Sequence, residues 1–70
     1  MLLPRIDRYL RARRMTPTRF GREAAGDPNL VLELREGRQL RPATAKRIAA
    51  ALDRMEAELR AEERAPEVRR

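Results

Sequence analysis

Between Met15 and Gly37 the chain reads Met-Thr-Pro-Thr-Arg-Phe-Gly-Arg-Glu-Ala-Ala-Gly-Asp-Pro-Asn-Leu-Val-Leu-Glu-Leu-Arg-Glu-Gly, and no other stretch constrains the fold as tightly. Two short helices are written into it. Thr16 and Asp27 are residue types that cap a helix start by accepting a free backbone N–H. Each is followed by a proline, Pro17 and Pro28, which suits the first helical position because its missing N–H has no helical partner to lose. Gly26 and Gly37 stand where each helix must stop, and glycine readily takes the left-handed conformation that closes a helix. The pattern predicts helices over 17–25 and 28–36 with a tight turn between them, a helix-turn-helix.

The flanking sequence supplies the rest of an all-α domain. A first helix is predicted over 4–14, with Leu3, Ile6 and Leu10 on one stripe, Tyr9 at its edge, and Arg5, Arg8, Arg11 and Arg14 elsewhere. In the second helix Phe20 and Ala24 share a face, and Phe20 anchors the core. Gly21 in mid-helix costs about 1 kcal/mol relative to alanine, which close approach of another helix would explain. In the third, Leu30, Val31 and Leu34 form an apolar face. Pro28, Asn29, Leu32, Glu33 and Glu36 lie on or near the opposite one. An apolar Leu32 there either packs on a neighbour or touches something outside the fold. Residues 37–41 read as a loop.

Pro42 opens a final helix that continues to Arg64. Ala45, Ile48, Leu52, Met55 and Leu59 recur at spacings of 3, 4, 3 and 4, a heptad seam. Met55 and Leu59, furthest along it, are candidates for a dimer surface. Arg54/Glu58 and Glu56/Arg60 are i,i+4 pairs suited to exposed faces. One domain is expected over 1–64, with the motif at 16–37, the C-terminal helix at 42–64 and a frayed basic tail at 65–70.

Composition narrows the chemistry. The 70 residues contain no Cys and no His, so disulfides, thiolate metal sites and the commonest general base are ruled out. The carboxylates show no metal-ligand spacing, and no Gly-rich phosphate loop is present. No enzyme, metal, cofactor or small-molecule ligand is therefore expected. The apolar run at the start is too short for a signal peptide, no stretch nears a membrane span, and a reducing cytoplasm is the expected compartment. Asp53, Glu56, Glu58, Glu62 and Glu63 argue against a membrane-surface helix over 42–64.

Net charge is +6, and 16 of the 17 basic residues are arginine. Residues 1–52 balance at +7 and residues 53–70 at −1, so the positive charge belongs to the half that carries the motif. Such a domain attracts polyanions, and phosphate contacts supply most non-specific nucleic-acid affinity.

From Met15 to Gly37 the chain resembles the lambda-repressor-like helix-turn-helix family (Cro/cI or XRE type). Arg41-Pro42-Ala43-Thr44-Ala45-Lys46-Arg47-Ile48-Ala49-Ala50-Ala51-Leu52 resembles that family's next helix, which often reads Pro-x-Thr and then Ile-Ala-x-Ala-Leu. The likeness spans residues 3–52. It implies a small four-helix domain with an extended C-terminal helix, in which Thr16 caps the first motif helix, Phe20 and Gly21 are its large and small packing residues, and Val31 and Leu34 are buried in the recognition helix. The chain departs from the family at Pro17, where Gln is frequent, and at Ala25, where the turn Gly usually stands. Gly26 replaces an apolar residue, and Asp27 a Ser or Thr.

In such domains the second motif helix enters the major groove with its N-terminal residues at the base edges. Pro28, Asn29, Leu32 and Glu33 are then the expected base readers. Asn can bridge adenine N6 and N7, Glu can accept from cytosine N4, and an apolar side chain can meet a thymine methyl. Arg19, Arg22, Arg35, Arg38 and Arg41 are the expected phosphate contacts. The expected function is a sequence-specific DNA-binding transcription regulator, a repressor working as a homodimer on double-stranded DNA in a bacterial or phage nucleoid. The alternative is an adaptor or antitoxin-like module that holds a partner protein through its C-terminal helix.

Overall fold

A computed structural model describes residues 2–64. It contains four helices: α1 (Leu3–Arg13), α2 (Pro17–Ala25), α3 (Leu30–Arg35) and α4 (Pro42–Arg64). No strand occurs among the described residues. The tail expected at 65–70 lies outside them.

α2 has the boundaries its caps dictate. The Thr16 hydroxyl accepts the Arg19 N–H at 3.1 Å. At the other end Gly26 is left-handed (φ 65°) and donates its N–H to the Arg22 carbonyl at 3.0 Å. α1 closes in the same way without a glycine. Arg14 takes a left-handed conformation (φ 57°), and the Met15 N–H reaches the Leu10 carbonyl at 3.0 Å. Met15 and Leu10 are both buried, the apolar contact that accompanies such a closure.

α3 is shorter than the sequence predicts, beginning at Leu30 rather than Pro28 and ending at Arg35 rather than Glu36. Asp27 does cap, but it caps a turn ahead of the helix. Its Oδ1 accepts the Asn29 N–H at 3.0 Å, and its carbonyl accepts the Leu30 N–H at 3.1 Å. Those bonds close a tight turn, so helical i→i+4 bonding starts only with the Glu33 N–H on the Asn29 carbonyl at 3.0 Å. The far end closes on Gly37 (φ 105°), with the Gly37 N–H on the Leu34 carbonyl at 3.1 Å and the Arg38 N–H on the Glu33 carbonyl at 2.9 Å. That pair of bonds is a Schellman closure.

The core is built from Ile6, Tyr9 and Leu10 of α1, Met15, Phe20 of α2, Leu30 and Val31 of α3, and Ile48, Leu52 and Met55 of α4. Phe20 is fully buried, and its ring lies 6.1 Å from that of Tyr9 at a tilt of 55°, within the range of favourable aromatic pairing. Tyr9, expected at the edge of its stripe, is thus a core residue. α2 packs on α3 and α4, while α1 packs on both as well.

Gly21 faces the turn before α3. A Cβ there would run into the Asp27 carbonyl oxygen and lie 3.2 Å from the Leu30 Cβ. The sequence expectation of a close approach is met by the turn as much as by the helix.

α4 is a single helix of 23 residues. Its seam turns inward. Ile48, Leu52 and Met55 are buried, and Leu59 is half-buried against the same cluster. Met55 is therefore corrected from a dimer candidate to a core residue, and Leu59 has much of its side chain committed to the chain's own interior. The seam packs within the core that α1 and α2 share, and α1 runs alongside α4 in parallel. Arg5 bonds Glu56 through Nε at 3.2 Å and Nη2 at 2.8 Å, and also pairs with Asp53; Arg13 pairs with Glu62. Glu56 thus serves α1 rather than the expected i,i+4 pairing with Arg60. Among the described residues no helix is long and apolar enough to cross a membrane.

Candidate nucleic-acid interface

The turn and α3 place the four expected base readers on one side. Pro28, Asn29 and Leu32 are exposed, and Glu33 is half-exposed. Burial of Leu30 and Val31 on the opposite side fixes that orientation. Leu32 is 49% exposed and is the exposed large apolar side chain among the described residues. It is not among the residues packed on the core cluster, and about half of its side chain stays open to solvent. Pro28 and Asn29 belong to the turn ahead of α3, not to its first helical turn, so their side chains project from a non-helical backbone (Asn29 φ −96°, ψ 4°).

The five arginines expected on phosphates fall into two groups. Three are bonded within the chain. Arg19 Nε donates to Glu23 Oε2 at 2.7 Å, one turn along α2. Arg35 Nη2 donates to Asp7 Oδ1 at 2.8 Å, joining α3 to α1. Arg38 Nη1 donates to Asp27 Oδ2 at 3.0 Å and to Glu33 Oε1 at 2.6 Å. Arg22 and Arg41 are exposed and have no ion-pair partner among the described residues. The expected cationic surround is thus partly neutralised from inside.

Glu33, an expected base reader, is bonded to Arg38. The Arg38 guanidinium holds the Asp27 carboxyl below its usual range, helped by the N–H of Asn29. The Asp27 contact in turn raises Arg38. Together the three side chains form a clip across the turn, α3 and the following loop. One local signal for it stood in the sequence: a helix closing on Gly37 sets residue 38 over the carbonyl of residue 33, so an arginine there lies over a glutamate.

Chemically, the outer side of α3 offers an amide, an apolar patch and a carboxylate, with hydrogen-bond acceptors outnumbering free cations. Neither a protein-family model, a curated protein nor a solved structure matches the chain.

Proposed function

We propose that this is a small sequence-specific DNA-binding transcription regulator of the lambda-repressor-like helix-turn-helix type, laying α3 and its leading turn into the major groove. The reading rests on one observation above all. Pro28, Asn29, Leu32 and Glu33 share a solvent-facing side, while Leu30 and Val31 behind them are buried. A half-exposed leucine beside an amide and a carboxylate suits base edges, where a thymine methyl, an adenine and a cytosine offer matching groups. Of the five arginines expected on phosphates, Arg22 and Arg41 have no ion-pair partner among the described residues and are open to meet phosphates and set register. Repression as a homodimer in the bacterial or phage nucleoid completes the proposal, since pairing doubles the few base contacts across a two-fold site. With Met55 in the core, such a dimer forms through the exposed side of α4.

Selection of bound duplexes from a random pool, followed by anisotropy titration of the winner, tests this. Asn29→Ala is expected to lose about 1–3 kcal/mol at one base position and to leave others unchanged. Uniform weakening on every sequence would remove direct readout.

One observation favours the adaptor reading as a second proposal. Asp27, Glu33 and Glu36 flank the outer side of α3, an acidic balance that resists a polyanion. No binding of any duplex at low salt would decide for the adaptor.

A further inference from the structure

Arg38 is held where phosphates would be met, yet its charge is already neutralised. The Schellman closure at Gly37 delivers its backbone to the Glu33 carbonyl at 2.9 Å. The side chain then returns to Glu33 Oε1 at 2.6 Å and Asp27 Oδ2 at 3.0 Å. Asp27 is itself fixed by the Asn29 N–H at 3.0 Å on its other oxygen. About a third to a half of each of the three side chains remains open to solvent: 37% for Arg38, 34% for Asp27 and 46% for Glu33. The clip is therefore rigidly placed and reachable.

Resting on the duplex reading above, we propose that Asp27 and Glu33 are specificity-determining residues that act as an internal stand-in for phosphate. They hold Arg38 away from arbitrary polyanions and release it only at a duplex whose bases engage Glu33.

Non-specific binding is almost entirely the neutralisation of phosphates by free cations. A guanidinium shared by two carboxylates has no net charge to contribute, and the three groups together carry an excess negative charge. Moving Arg38 from carboxylates to a phosphate exchanges one set of charge-assisted bonds for another of similar strength. The exchange would strand two carboxylates beside the duplex. At a cytosine, the freed Glu33 accepts from the N4 amine. Elsewhere it is left facing acceptors and phosphates. Release of Arg38 and readout by Glu33 are one event, so the cationic gain is confined to the right sequence.

The test compares the parent chain with Arg38→Gln, with Asp27→Asn/Glu33→Gln, and with the triple variant. The amide introduced at position 27 keeps an oxygen for the Asn29 N–H, and far-UV circular dichroism checks the fold. Binding of random duplex is measured across salt, and elution from heparin supplies a polyanion that needs no duplex recognition. The double variant is expected to bind random duplex about tenfold more tightly than the triple at about 0.1 M salt, with a salt slope steeper by about 0.9, the signature of one added phosphate contact. It is also expected to leave heparin at higher salt than the triple. Arg38→Gln leaves both carboxylates uncompensated and is expected to bind random duplex no better than the parent, with an unchanged salt slope because no phosphate contact is lost.

Equal gains in the double and triple variants would mean that mere loss of negative charge explains the effect, and the proposal falls. A salt slope lowered by about 0.9 in Arg38→Gln on random duplex, the mark of a phosphate contact already made in the parent, overturns it too. If the parent binds duplex but the double and triple variants coincide on both polyanions, the duplex reading stands and the internal stand-in is refuted. If nothing binds duplex while the double variant still outlasts the triple on heparin, the masking stands and the duplex reading fails.

Discussion

Gly21→Ala sets two effects of opposite sign against each other. In an open helix the change would add about 1 kcal/mol of stability, because glycine is the poorer helix former. Here the new Cβ points at the Asp27 carbonyl oxygen and comes within 3.2 Å of the Leu30 Cβ. The obstacle is backbone, so no side-chain rotation relieves it. That peptide is also tied down, with its carbonyl taking the Leu30 N–H at 3.1 Å and the Asp27 N–H reaching the Gly21 carbonyl at 3.0 Å. Moving it weakens both bonds, at about 0.5–1.5 kcal/mol each, and overpacking of this kind costs about 1–3 kcal/mol. The obstacle wins: the two weakened bonds and the overpacking together cost about 2–6 kcal/mol, so a net loss of about 1–5 kcal/mol is expected after the helix gain is subtracted. A chain of this length has roughly 4–10 kcal/mol in all, and each kilocalorie moves the midpoint of melting by about 4–8 °C. Thermal and urea unfolding followed by far-UV circular dichroism gives the number. A variant as stable as the parent, or more stable, would show that the turn yields freely and that Gly21 is not there for close approach.

Two further outcomes follow from the ion pairs and closures. Arg5 lowers the Glu56 carboxyl, and Arg13 does the same for Glu62, from an ordinary value of 4.5. A carboxyl lowered on folding stabilises above its unfolded value and loses that contribution as pH falls through the folded one. Stability is thus expected to hold from neutrality down to about pH 5 and to decline below it, with Glu56→Gln flattening the decline and costing at most about 1 kcal/mol at neutral pH. Urea midpoints at a series of pH values check this, and an unchanged acid limb in the variant counts against the α1–α4 pairing. Gly37→Ala meets no atom within 4 Å, so its expected cost of about 1–2 kcal/mol is backbone strain at φ 105° alone.

What could be read in advance was what the chain settles locally. α2 ends where Thr16 and Gly26 make it end, because both bonds lie within four residues of their partners. The inward faces of α1, α2 and α3 followed from spacing. The start of α3 did not, because an aspartate two residues ahead of a free N–H can cap a helix or a turn with equal chemistry; here the Asp27 N–H is bound to the Gly21 carbonyl at 3.0 Å and its side chain closes the turn. The seam of α4 was visible as a period, yet a period cannot say whose surface covers it. The chain's own α1 and α2 cover it, and α1 is fastened to α4 through Arg5–Glu56, 51 residues apart, a distance no local pattern bridges.

The same limit governs the charge. Counting side chains gave the motif half a balance of +7, which suggests a surface that grips any polyanion. That balance already counts Asp7, Asp27 and Glu33, so only the pairs that Arg5 and Arg13 make with Asp53, Glu56 and Glu62 draw on it; what folding decides is which guanidinium groups near α3 are taken. Arg5 and Arg13 are used to fasten α4, Arg35 to fasten α1 through Asp7, and Arg38 is shared between Asp27 and Glu33. Each pair is a modest contribution to stability at a solvated surface, but each removes a guanidinium from the pool that releases counterions on binding. On the proposed duplex reading, a domain built this way gives up part of its non-specific grip around α3 and would leave a larger share of its affinity to Asn29, Leu32 and Glu33. Discrimination between sequences depends on that share and not on the total charge, so the acidic groups beside α3, which weaken binding in general, are compatible with reading a base sequence and sharpen it.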